Sequence, residues 1–89
     1  MGHTMFISVK HNISNPPEFW GIAQKALPNL PKGIKLHSSY PTVDMATAFC
    51  LWEAESLDGF KKYLEAQVGH VSKNDYHVIE EKFAIGLPK

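Results

Sequence analysis

The stretch that decides the fold is Ala46-Thr47-Ala48-Phe49-Cys50-Leu51-Trp52, a run of aromatic, β-branched, small and thiol side chains. Its composition favours a β-strand, yet it lacks the alternation of apolar and polar residues that marks a strand with one face in water. A strand that is apolar on successive residues needs cover on both faces of its sheet. One layer of helices can cover one face, so we expect a second copy of the sheet to cover the other.

Capping and turn residues around this strand predict the remaining elements. Asn15 is followed by two prolines and is placed to cap a first helix, which Pro28 stops. Ser56 is placed to cap a second helix, and Gly69 ends it. In chain order, we predict a strand over 5–11, a helix between Asn15 and Pro28, a strand over 34–40, a strand ending near 54, a helix between Ser56 and Gly69, a loop over 72–75 and a strand over 76–83.

This order of elements predicts an α+β fold of the ferredoxin-like βαββαβ type, an antiparallel sheet with both helices on one face. The first and third strands would be central, and the opposite face of the sheet would be bare. Two such domains can cover their bare faces by pairing as a dimeric α+β barrel. We assign residues 5–84 to a single domain, residues 1–4 to a vector remnant or a disordered start, and residues 85–89 to a C-terminal tail.

Composition excludes several classes of function. Nine Lys and Arg balance nine Asp and Glu among 89 residues, and no basic block exceeds Lys61-Lys62, which argues against nucleic-acid binding. No apolar run approaches the roughly 20 residues of a membrane span. The lone Cys50 excludes an internal disulfide and, without a signal peptide, favours the cytoplasm. No glycine-rich phosphate loop is present, so the sequence carries no nucleotide or flavin signature.

The turn residues 41–44 predict that the second and third strands form a hairpin, whose register decides which side chains share a face. In our register the helix-facing side chains are Ile34, Leu36, Phe49 and Leu51. The bare face then holds Lys35, His37, Ser39, Ala48, Cys50 and Trp52. A slip of one residue would move every side chain of a strand to the opposite face.

Imidazole and thiolate groups are the usual protein ligands of nickel, zinc and copper. The candidate donors are His11, His37, Cys50 and His77. No two of them have a compact motif spacing, so only folding, or a dimer axis that doubles their number, could make three or more converge. We therefore predict a divalent transition metal as the most specific ligand.

Residues 33–54 also carry a family resemblance. The motif is Gly33-Ile34, Ser39-Tyr40, Asp44, Phe49-Cys50 and Trp52-Glu53-Ala54. In this order it resembles a family of small ferredoxin-like proteins of mostly unknown function, some of which bind nickel, and the resemblance implies nickel as the expected metal. That family commonly has His directly before Ser-Tyr, where this chain has Ser38, with His37 one residue earlier and, by alternation, on the other face.

The chain is also similar to the wider dimeric α+β barrel group, which includes cofactor-independent monooxygenases and small isomerases. Three functions follow and stay open at this point. The first is a homodimer, or a higher oligomer, that binds a small ligand or a metal. The second is a monooxygenase- or isomerase-like enzyme in which His37 is the acid or base and Tyr40 and Trp52 shape the pocket. The third is a structural or interaction module without a site.

Overall fold

The structure is a computed structural model that describes residues 3–88. Residues 1, 2 and 89, which belong to the predicted start and tail, lie outside the described part. The elements are β1 (Met5–Ile13), α1 (Pro16–Ala26), a 3₁₀ turn (Leu27–Asn29), β2 (Ile34–Pro41), β3 (Thr47–Ala54), α2 (Leu57–Val68) and β4 (Ser72–Val78).

The four strands form one antiparallel sheet in the order β2-β3-β1-β4. The predicted ferredoxin-like α+β fold is confirmed, with β1 and β3 in the centre and the β2–β3 hairpin at one side. Each of the two crossover connections, from β1 to β2 and from β3 to β4, runs through a helix. The edge strands of the sheet are β2 and β4. None of the helices within residues 3–88 has the length and apolar character needed to cross a membrane.

Both helices begin at the predicted capping residues. The Asn15 side chain accepts a hydrogen bond from the backbone N–H of Glu18, and Pro16 and Pro17 occupy the first turn of α1. The Ser56 hydroxyl accepts from the backbone N–H of Gly59 at 3.1 Å. These side chains satisfy amides that the first turn of a helix leaves free, so the local sequence fixes where each helix starts.

The last strand differs from its prediction. β4 covers Ser72–Val78 rather than 76–83, so the predicted loop over 72–75 belongs to the sheet. Ser72 pairs with Ile13 and Asn74 pairs with His11, which also extends β1 two residues past its predicted end. Backbone pairing with a central strand outweighs the turn preference of Ser, Asn and Asp.

The hairpin register also differs from its prediction, and the difference reverses the faces of β3. Ile34 pairs with Ala54 and Leu36 pairs with Trp52, so these four side chains share a face. The helices cover that face. The prediction was therefore right for Ile34 and Leu36 of β2, but it placed the side chains of β3 on the opposite faces. The core consists of Ile7, Val9, Ile13, Phe19, Ala48, Cys50, Trp52, Ala54, Phe60, Leu64, Val68 and Val71.

A β-bulge between Leu36 and Ser38 explains why the residues of β2 that follow Leu36 do not keep the predicted faces. His37 is the extra residue, and its ring contacts Phe6 on the face away from the helices. Ser38 pairs with Leu51 on that same face, so His37 and Ser38 do not alternate as predicted. Past the bulge, Ser39 moves to the helix-covered face. Strict alternation fails at a bulge because two residues oppose one on the partner strand.

Candidate functional site

A small, partly open cavity lies between the helices and the covered face of the sheet. Its volume of about 50 Å³ is smaller than the roughly 300–1,000 Å³ of most ligand pockets, and its almost entirely apolar wall is built from α1, α2, β1, β2 and β3. Side chains that carry polar atoms reach this wall from the sheet at four positions, His11, Ser39, Cys50 and Trp52. An apolar cavity with a few polar groups is the usual form of a small-molecule site.

Trp52, which lines this wall, carries a buried hydrogen-bond donor. The residue is 5% exposed, and its ring packs against Phe60 with centroids 5.2 Å apart. Its indole Nε1 is buried and has no hydrogen-bond partner among residues 3–88. The other indole in the chain differs, because Trp20 donates its Nε1–H to the backbone oxygen of Met45 at 3.1 Å.

His11 lines the same cavity as a neutral imidazole. Its Nδ1 lies 2.6 Å from the side-chain oxygen of Asn74. A carboxamide oxygen can only accept, so Nδ1 carries the proton and Nε2 is left as the acceptor. Burial lowers the pKa of His11, and the bond to Asn74 only partly opposes that effect. The ring is also held by Phe19, whose centroid lies 5.3 Å away.

A polar network on β4 and α2 holds Asn74 in place. Its amide nitrogen donates to Glu65 at 2.9 Å, and the Ser72 hydroxyl donates to its oxygen at 2.9 Å. The Tyr76 hydroxyl donates to the same Glu65 carboxylate at 2.6 Å. Burial, together with this carboxylate, raises the pKa of Tyr76 and keeps the phenol protonated. The network fixes the tautomer of His11 through Asn74.

Cys50 is a neighbour of His11 but is not activated by it. Val9 pairs with Cys50 and Ala48 pairs with His11, so Cys50 and His11 are diagonal neighbours on the covered face. The thiol donates to the Ser39 hydroxyl at 3.3 Å. Burial raises the pKa of Cys50, which keeps the thiol protonated and weakly nucleophilic.

The face away from the helices, called the open face here, holds a second group of polar side chains. His37 Nε2 lies 2.7 Å from a Glu53 carboxylate oxygen, and each side chain is 21% exposed. Thr4 donates to the other oxygen of Glu53. The hydrogen bond from Thr4, followed by the one with His37, lowers the pKa of Glu53. This pair fixes the His37 ring above Phe6.

The open face carries both apolar and polar side chains. On the β2–β3 half, Tyr40 pairs with Phe49, and these two side chains are 66% and 47% exposed. Leu51 follows on the same side of β3. On the β1–β4 half, Lys10 lies opposite Asp75. The most exposed aromatic side chains of the sheet are therefore adjacent, at the border formed by edge strand β2.

The predicted metal donors do not come together within the described chain. His11 and Cys50 lie on the covered face, whereas His37 and His77 lie on the open face, on opposite edge strands. Across residues 3–88, no three His, Cys, Asp or Glu side chains are grouped so that they could hold a metal ion. Nickel binding stays a prediction that would need donors from a second copy.

The predicted enzymatic set is divided in the same way. Trp52 belongs to the cavity under the helices, whereas His37 and Tyr40 belong to the open face. Sequence reasoning missed the residues that orient His11, of which Asn74 is the most direct. A signal was present, because Ser72, Asn74 and Tyr76 repeat with the period of two that is typical of a strand.

Comparisons with known proteins add no assignment. No protein-family model matches the chain, and neither a curated protein nor a solved structure matches it. The resemblance carried by residues 33–54 therefore stays a prediction, and the fold rests on the geometry described above.

Proposed function

We propose that the protein is a homodimer in which each subunit binds a small, uncharged, largely apolar organic molecule between its helices and its sheet. The observation that carries this proposal is the indole Nε1–H of Trp52. It is a buried donor without a partner within residues 3–88, and Trp52 lines the apolar cavity. Nearly all buried polar groups in native proteins are hydrogen-bonded, so an exception beside a cavity points to a ligand that completes the bond.

The free energy involved favours a ligand with a hydrogen-bond acceptor. A buried donor that is left unpaired costs about 1–3 kcal/mol. A carbonyl or ether oxygen placed at Nε1 would recover that free energy. The cavity volume of about 50 Å³ exceeds what one water needs, but an internal water is stable only with two to four polar partners. The surface of the wall is almost entirely apolar, so a mostly apolar molecule with one acceptor fits it better than water.

The absence of charge on the wall argues for an uncharged ligand. No Asp, Glu, Lys or Arg of the described chain lines the cavity. His11 is neutral there, and Cys50 is a protonated thiol, since burial shifts both pKa values away from the charged form. A charge that is buried without a partner is strongly unfavourable. The unprotonated Nε2 of His11 is available as an acceptor for a ligand hydroxyl.

The open face supports the homodimer. Tyr40, Phe49 and Leu51 form an apolar strip there that the subunit's own helices do not reach. The four strands give this face a projected size of about 19 Å by about 26 Å, or on the order of 500 Å². A second copy, pairing through a twofold axis, would place the same strip on both sides of the interface.

Nuclear magnetic resonance of the two indole N–H groups tests the ligand site, with Trp20 as an internal control. Cyclopentanone and cyclopentane are matched probes, because only the ketone offers an acceptor. We expect the ketone to move the Trp52 indole resonance downfield while the Trp20 resonance, already bonded to Met45, stays in place. In a Trp52→Phe variant the ketone should lose its preference over the hydrocarbon.

Two outcomes would overturn this assignment. One is a Trp52 resonance that neither probe moves at saturating concentration. The other is a response to nickel chloride alone, with broadening centred on His11 and Cys50, which would support the metal instead. The homodimer is tested separately by sedimentation velocity over roughly a hundredfold range of protein concentration. A single species of 10.0 kDa throughout that range would contradict it.

A further inference from the structure

The segment that follows β4, residues 79–88, is called the arm here. Its one backbone contact with the sheet is the Ile79 N–H, which donates to the Phe6 oxygen at 2.9 Å. The next hydrogen bonds close turns within the arm, from Phe83 to Glu80 and from Ala84 to Glu81. Phe83 is 85% exposed and Ile85 is 100% exposed.

Such exposure is unfavourable for the subunit alone. Full burial of a Phe or Ile side chain is favourable relative to leaving it in water. Two of these side chains, two residues apart on one short segment, form a small apolar unit that the subunit does not use. The segment therefore has the features of an element that packs on another molecule.

We propose that the arm of each subunit packs on the open face of its partner, with Phe83 and Ile85 against the partner's Tyr40 and the partner's Phe49. This inference rests on the homodimer of the proposed function. It assigns two exposed apolar regions of the chain to each other, since Tyr40 and Phe49 are the exposed aromatic pair at the border of the sheet.

The length of the arm favours the partner over the arm's own sheet. Stacked sheets lie about 10 Å apart, and the five residues from Val78 to Phe83 span at most about 17 Å. Within one subunit, Tyr40 is separated from Val78 by three strand-to-strand spacings and by about three residues along the strand direction. The distance between the two residues is therefore also about 17 Å. The turns at residues 80–84 shorten the arm, so it spans the gap between two sheets but not the width of its own.

Charge on the arm complements charge on the open face. Glu80-Glu81 lies directly before the apolar unit. The open face carries three lysines, Lys10, Lys35 and Lys73, against two carboxylates. Both carboxylates are already bonded, Glu53 to His37 and Asp75 to Asn12. The open face therefore carries more lysines than carboxylates, which suits an acidic pair on the incoming arm.

The arm also supplies interface area that the sheet lacks. A stable interface of standard size buries about 800 Å² on each partner. The projected face of the sheet, on the order of 500 Å², falls short of that value. An aromatic side chain such as Phe83 buries roughly 150 Å² or more, so an arm from each subunit adds to the interface area.

Removing the apolar unit tests the inference by sedimentation velocity. The variant Phe83→Ser/Ile85→Ser should weaken dimerisation at least about tenfold, because two buried apolar side chains are lost. Val43→Ser is the matched control, since Val43 is fully exposed in the β2–β3 turn. It should leave the dimer constant unchanged. Equal constants for the arm variant and the control would overturn the arm contact while leaving the dimer intact, whereas a monomeric wild type would overturn both.

A disulfide test checks the contact independently of affinity. A chain with Ile85→Cys is mixed with a mass-tagged chain with Tyr40→Cys and oxidised gently. We expect a disulfide-linked heterodimer of one tagged and one untagged chain. Mixing Ile85→Cys with Val43→Cys is the control and should give little of that product. Equal yields from the two mixtures would contradict the proposed contact.

Discussion

The two faces of the sheet are built from the same strands but have different roles. On the covered face, Ile7 and Val9 are wholly buried, and Trp52 and Cys50 continue the same layer beneath the helices. On the open face, Tyr40 and Phe49 remain largely in water. Neighbouring residues of one strand thus contribute to the core or, in the proposed homodimer, to association, according to the side of the sheet on which they lie. We expect substitutions on the covered face to change the stability of the subunit, and those on the open face to change its pairing.

The largest difference in the free energy of unfolding is expected between substitutions of two aromatic residues of β3 that lie on opposite faces. Trp52→Ala should lower the free energy of unfolding by about 3–5 kcal/mol, because it opens a cavity in the core. Phe49→Ala should lower it by less than about 1 kcal/mol in the dissociated subunit, since that side chain is already half exposed. Urea denaturation at low protein concentration measures both. Equal losses for the two variants would contradict the division between the faces.

A smaller contrast is expected between the polar pairs of the two faces. Asn74→Ala leaves the buried Nδ1–H of His11 without an acceptor and should destabilise the subunit by about 2 kcal/mol. Glu53→Gln alters the half-exposed pair with His37 and should change stability by less than about 1 kcal/mol. The same urea titration compares them. A larger loss for Glu53→Gln would place the more important polar contact on the open face.

The smallest effect is a dependence of stability on pH that arises from the covered face. Burial lowers the pKa of His11 below its ordinary value of 6.5, so the unfolded chain binds a proton in that range that the native state does not. The His11 contribution is complete above about pH 6.5 and is lost as pH falls below it, by at most about 1.4 kcal/mol per pH unit.

Urea denaturation at several pH values from about 8 to about 5 measures this slope. His11→Gln should flatten it, whereas His77→Gln, a change of an exposed histidine on the open face, should preserve it. A slope that survives the removal of His11 but disappears without His77 would contradict the prediction, because it would assign the pH dependence to the open face.

Local signals in the sequence predicted the fold. The caps at Asn15 and Ser56 and the stop at Gly69 define both helices, and they act through contacts within a few residues. The order of strands and helices then leaves few topologies, because crossover connections are right-handed. β4 was misplaced because its Ser72 and Asn74 favour turns locally, whereas pairing with β1 holds them in the sheet.

The candidate site was less predictable. The residues His11, Cys50 and Trp52 were identified from their chemistry, but their grouping was wrong. Cys50 and Trp52 were assigned to the open face beside His37, whereas the structure places them under the helices beside His11. Alternation could not settle the face of β3, since both sides of that strand are apolar. The bulge at His37 added a second shift, in the register of β2, and no residue type in that strand predicts a bulge.

The sequence by itself determined the elements, their order and the presence of two apolar surfaces, because capping, proline and hydrophobic patterning act over short distances along the chain. Only the tertiary structure decided which side of β3 faces the helices, which histidine is buried and which indole lacks a partner. Those outcomes depend on the register between strands, in which a displacement of one residue exchanges the two faces. Register is set by packing and by a bulge over the whole sheet, so no single segment contains it.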